Sequence, residues 1–146
     1  MGGKRTLPVP YRAMAISPLP AVSLPQLRLA LEASWDRSTA YLGAYRVGNA
    51  ALGQCYPTSR VVQWFFPQLE IASGEVDTGS TIEAHFWNIG PASQPAEHVD
   101  LTWHQFAKGS RVTRFTILDP HALNDSPPTL ARCQLLLNRV LLRLAR

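Results

Sequence analysis

Two prolines bracket the run that most constrains this chain, GQCYPTSRVVQWFFP, residues 53–67. Inside a helix, proline is tolerated only in the first turn, where its missing N–H leaves no bond unmade. Pro57 therefore fixes Cys55 near the N-terminus of a helix, and Pro67 ends it, giving a helix over about 55–66. Val61, Val62, Trp64, Phe65 and Phe66 make that helix strongly apolar, as expected for a buried central helix.

The flanking segments supply its partners. Ser23 offers an N-cap, Pro25 sits in a first turn, and Leu24, Leu27 and Leu31 recur at helical spacing ahead of Trp35, which predicts a helix over 24–35. After Pro67 the period changes. Leu69 to Val76 reads as a strand and its turn. Thr81 to Ile89 alternates and is rich in β-formers. Val99 to Trp103 and Val112 to Leu118 read as two further strands. Thr129 caps a last helix over about 130–145. Helices segregated from an antiparallel sheet define an α+β domain over 23–146, preceded by a Pro-rich arm over 1–22.

The 146 residues suffice for one domain with a real core. The net charge of +4 is spread through the tail and the last helix, and no nucleic-acid-binding motif accompanies it, so nucleic acid is not an expected partner. No apolar run approaches the ~20 residues of a membrane span. The N-terminus is broken by Pro8, Pro10, Pro18 and Pro20 and does not read as a signal peptide. Met1-Gly2-Gly3 fits only the loose myristoylation pattern. Two cysteines make no disulfide framework, and no CxxC pair marks a zinc site. Reduced thiols and a cytoplasmic setting are expected, with no metal and no cofactor.

The two cysteines differ. Cys133 falls on one apolar stripe with Leu136, Leu137, Val140 and Leu144, which makes it a core residue. Cys55 opens a helix, where free backbone N–H groups and the helix dipole favour a thiolate. On this local feature alone, a nucleophile and a buried helix-start cysteine stand equal.

The candidate bases lie downstream. His85 is mid-strand, 15 residues before Asp100. If residues 90–96 close an antiparallel hairpin, the two side chains meet on paired strands. The carboxylate would then hold one ring nitrogen and leave the other for a thiol. His98, two residues before Asp100, is the rival base. His104 and His121 read as surface residues. A zinc site of Cys55, His85 and His98 matches no common spacing.

Three segments in this order, GQC, HFWN and VDLTW, resemble the core of transglutaminase-like proteins within the papain-like cysteine superfamily. The stretch from about 24 to 145 is also similar to the small bacterial YunG-like family, on GQCYPTSRVVQWFFP, EAHFWN and DLTWHQF. The resemblance implies a papain-like core with the cysteine helix packed on an antiparallel sheet. It implies Cys55 as nucleophile, His85 as base and Asp100 as orienting carboxylate. Gln54 is a candidate second oxyanion donor beside the Cys55 N–H. Trp87, Trp103 and Tyr56 are candidate substrate contacts. Tyr56-Pro57 stands where many transglutaminases have Trp-Val. The expected function is thiol-dependent acyl transfer on a peptide or amide-bearing substrate, either as amidase, peptidase or deamidase or as transglutaminase. The alternative is an inactive domain of the same fold that binds a partner. The sequence carries no signal for oligomeric state.

Overall fold

The structure is a computed structural model that describes residues 19–90 and 97–146. Most of the expected Pro-rich arm, and the hairpin loop after Gly90, lie outside the described residues. The described residues form an α+β domain of three helices and a four-stranded antiparallel sheet. The helices are α1 (Leu24–Ser34), α2 (Cys55–Phe65) and α3 (Pro127–Leu144). The strands are β1 (Glu70–Asp77), β2 (Ile82–Ile89), β3 (His98–Val99) and β4 (Arg111–Ile117), in the spatial order β3-β2-β1-β4.

The helix starts follow the local chemistry. Ser23 caps α1 through a reciprocal pair with Gln26, and Pro25 lies in the first turn. In α3 the cap is Ser126, whose hydroxyl accepts from the Thr129 N–H. The helix therefore begins at Pro127-Pro128, ahead of the expected Thr129 cap, because prolines fit the first turn.

One core lies among the helices: Leu27 and Leu31 of α1, Val61 and Val62 of α2, and Leu136 and Val140 of α3 are all fully buried. Each such side chain contributes about 1.5–3 kcal/mol relative to an exposed one. Cys133 lies on the buried stripe of α3 as expected. In α2 the buried residues are Pro57, Thr58, Ser59, Val61 and Val62, and Trp64, Phe65 and the C-cap Phe66 are only partly buried. Arg139 clamps α3 to the end of α1, reaching Asp36 Oδ1 at 2.8 Å and the Ser34 carbonyl at 3.1 Å. The Arg139 guanidinium holds the Asp36 carboxyl below its ordinary range.

A second, smaller cluster of Ala72, Trp87 and Ile89 lies on the sheet. The sheet curls, so that His98 of β3 and Phe115 of β4, on the two edge strands, bring their ring centroids to 5.5 Å. Gly74 permits the curl. A Cβ there would stand 2.5 Å from the Arg114 carbonyl oxygen, 2.7 Å from Trp87 and 2.8 Å from Phe115. The strand expected over Val99 to Trp103 is shorter than its pattern. It pairs only at His98 and Val99, and a 3₁₀ turn follows at Trp103–Gln105. The cause is Asp100, whose Oδ1 accepts from the Thr102 N–H at 3.2 Å and turns the backbone out of the ladder.

Among the described residues, no helix is long and apolar enough to cross a membrane.

Candidate active site

Cys55 is the first residue of α2 and is half-buried. The turn that delivers it depends on Gly53, which has φ +79 and whose carbonyl accepts from the Tyr41 N–H at 2.8 Å. A Cβ at Gly53 would lie 3.1 Å from the Ala44 Cβ and 3.2 Å from the Ala40 Cβ, so both the backbone and the space require glycine. Gln54 is fully buried. Its Nε2 donates to the Asp36 carbonyl at 2.9 Å and its Oε1 accepts from Thr39 Oγ1 at 2.8 Å. Both ends of this amide are thus engaged by the turn after α1. In this geometry it braces the start of α2.

The next residue is tied down from another direction. Tyr56 Oη donates to Asp125 Oδ1, and Arg60 Nε meets Asp125 Oδ2 at 3.0 Å. Burial, then the bond to Asp125, pushes the Tyr56 phenol above its ordinary range. Tyr56 also packs edge-on against Phe86, at 4.9 Å between centroids. These contacts spend its hydroxyl and much of its ring on holding α2 to the segment before α3. They do not leave it as the free substrate contact expected from sequence.

His85 sits on β2 and is fully buried, 0% exposed. The β2–β3 register pairs Asn88 with Val99 and Ile89 with His98. Carried one step on, it sets Asp100 across from Trp87 and diagonal to His85. Diagonal neighbours lie within reach of one another. His85 Nε2 and Asp100 Oδ2 are 2.7 Å apart, a length typical of a charge-assisted bond. Thr102 orients the carboxylate through its N–H and through a longer contact from Oγ1 at 3.4 Å. Trp87 stacks on the imidazole at 5.5 Å between centroids, while Phe106 and Trp103 meet it edge-on at 4.8 and 5.9 Å.

The remaining ring atom, Nδ1, is buried and has no hydrogen-bond partner among the described residues. Cys55 is among the groups that favour the charged ring. Burial opposes the charged imidazole. The bond to Asp100 and then the Cys55 sulfur outweigh it, and the His85 pKa rises from 6.5 to about 9. Asp100 thus favours the charged form of the ring. Because its folded pKa lies above the unfolded value, this pairing stabilises the fold fully below about pH 6.5, and its contribution is lost as pH rises through about 9.

His98, the rival base, is placed elsewhere. Its Nδ1 accepts from Trp87 Nε1 at 2.9 Å, so it holds the tryptophan that stacks on His85 and is not grouped with Cys55 and Asp100. His104 and His121 are exposed, as expected. Cys133 is fully buried, and burial pushes its thiol up to about 12.

An open cleft of about 710 Å³ adjoins the group. It runs between Asp100 and Trp103 on one side and β4 residues 112–115 on the other, with Trp87 and His98 in its wall. Both tryptophans expected at a substrate site line it. Asp125, Phe106 and Gly74 were not anticipated as parts of the site. Only Gly74 left a signal, as an isolated glycine within a strand pattern.

A curled antiparallel sheet packed with helices, carrying a buried imidazole–carboxylate pair on the strand against which the Cys55 helix packs, defines an α+β protein with a candidate site. The sequence model described as YunG protein matches residues 23–145, so the chain belongs to the YunG family. No curated protein and no solved structure matches the chain.

Proposed function

We propose that this protein is a thiol-dependent acyl-transfer enzyme with a papain-like, transglutaminase-like core. Cys55 is the nucleophile, His85 the proton carrier and Asp100 the residue that orients it. The observation that carries the reading is the buried His85–Asp100 pair at 2.7 Å, with the Cys55 sulfur as the next influence holding the ring protonated. A fully buried imidazolium has few structural uses, and such perturbed groups concentrate at functional sites.

The steps follow from the positions. Cys55, as a thiolate beside the His85 imidazolium, attacks the carbonyl carbon of a peptide or amide, and the C–O π electrons move onto oxygen. The Cys55 backbone N–H, in the first turn of α2 where no intrahelical partner exists, receives the oxyanion. Collapse breaks the C–N bond as the imidazolium proton passes to the departing nitrogen. The products are a free amine and a thioester on Cys55. Neutral His85 then takes a proton from the incoming acceptor. Water as acceptor gives an amidase, peptidase or deamidase; an amine gives a transglutaminase.

Alkylation tests the assignment. At pH 7, iodoacetamide is expected to modify Cys55 roughly tenfold or more faster than an unassisted thiol. Cys133 should remain unmodified until the protein unfolds. Peptide mapping by mass spectrometry reads both sites. A Cys55 no faster than free cysteine would contradict the nucleophile and leave a partner-binding domain on the same fold.

A further inference from the structure

We propose that His98 is a positioning residue for His85: its own proton decides whether Trp87 is held against the His85 ring, and it is held only while His98 is neutral. The inference rests on the acyl-transfer reading for the use made of His85, and on the His98–Trp87–His85 geometry for the coupling.

The coupling starts from donor and acceptor chemistry. Trp87 Nε1 donates to His98 Nδ1 at 2.9 Å. An indole nitrogen can only donate, so His98 Nδ1 must accept, and the proton of the neutral ring sits on Nε2. A protonated imidazole carries a hydrogen on both nitrogens and has no lone pair left to accept. Protonation of His98 therefore breaks this bond, whichever way the ring turns. His98 is exposed on the edge strand β3, where solvent protons reach it. Trp87 is only 3% exposed, so its N–H has little water to turn to. A buried donor left unpaired is costly, and the indole must shift to find a new acceptor.

The indole links the two histidines. It stacks on His85 at 5.5 Å between centroids, with 22° between the planes. A tryptophan face within about 6 Å of a cation favours the cation. Trp87 thus supports the charged form of the His85 ring, alongside Asp100, and a displaced indole supports it less. The charged groups around His98 have partners of their own. Asp100 lines the same cleft and is held by His85. Arg114 of β4 also lines it and is paired with Glu75 of β1 at 2.9 and 3.0 Å. From β2 the His98 ring meets Trp87, with His85 behind it, and from β4 it meets Phe115 at 5.5 Å. Glu97, the preceding residue, is exposed. The change at Trp87 is therefore assigned to the His98 proton itself.

The test follows the Trp87 indole N–H and the His98 ring by NMR in the full-length chain, over the range of about pH 5 to 8 in which histidines titrate. In wild type the indole resonance is expected to shift with the same midpoint as His98. His98→Asn puts an amide oxygen close to where Nδ1 stands, an acceptor that does not titrate. It should keep the indole near its neutral-pH position throughout. His98→Ala should leave the indole displaced at every pH. It should also lower the midpoint of the His85 ring by about half a unit, the size of one cation–π contact, and His98→Asn should restore that midpoint. Both substitutions fall at an exposed position, where folding is least at risk. An indole that ignores the His98 titration, one that titrates equally in His98→Asn, or a His85 midpoint unmoved by His98→Ala would overturn the coupling. Iodoacetamide labelling of wild-type Cys55 is read separately. A reactive Cys55 with an indole indifferent to His98 refutes the coupling alone. An inert Cys55 with an indole that follows His98 refutes the acyl-transfer reading alone.

Discussion

Replacing His85 by alanine is expected to slow iodoacetamide alkylation of Cys55 at pH 7 by roughly ten- to thirtyfold. The magnitude follows from the thiolate population. An unassisted thiol with a pKa of about 8.5 is only a few per cent thiolate at pH 7. In the proposed mechanism Cys55 attacks as a thiolate paired with the His85 imidazolium. Without the imidazolium, Cys55 is left as an unassisted thiol. On an amide substrate the loss should be larger, about 10²–10⁴-fold, because His85 also protonates the leaving nitrogen. The variant leaves Asp100 without its partner, so far-UV circular dichroism must accompany the rates. A folded H85A protein with undiminished alkylation at pH 7 would remove His85 from the mechanism.

Gly74→Ala is expected to destabilise the protein by about 3 kcal/mol, lowering Tm by about 10 °C. The added Cβ meets a backbone carbonyl oxygen at 2.5 Å, and the packed Trp87 and Phe115 at under 3 Å. None of these is the free end of a flexible side chain. Relief requires β4 to move off β1, or Trp87 to leave His85. The substitution should therefore also shift the Trp87 indole resonance, which a loss confined to helix packing would not do. A thermal melt within 2–3 °C of wild type, which by the usual scaling is less than about 1 kcal/mol, would show that the sheet gives way more easily than this packing allows.

The ends of the α-helices and the two long central strands were legible because local chemistry sets them. Proline in a first turn, serine at a cap and strict alternation each act over a few residues. The third strand was not, because its pattern is overridden by one side chain: Asp100 bonds the Thr102 N–H and turns the chain after two paired residues. At the site, the place of Cys55 at a helix start and the pairing of His85 with Asp100 were legible from helix position and strand spacing. His85 and Asp100 do meet, on a diagonal of the register. The partners of Gln54 and Tyr56 were not legible because they are distant in sequence. Gln54 reaches back to Asp36, and Tyr56 reaches forward to Asp125. No local pattern announces such bonds. The same holds for the division of labour between the histidines, which a single bond from Trp87 decides.

The most direct test of a Cys55–His85–Asp100 unit is an NMR titration of the His85 ring in three proteins. In wild type the midpoint should lie at about 9. Cys55→Ala should lower it, and Asp100→Asn should lower it further, since Asp100 is the stronger of the two influences. A wild-type midpoint near 6.5, or one that neither substitution moves, would contradict the account.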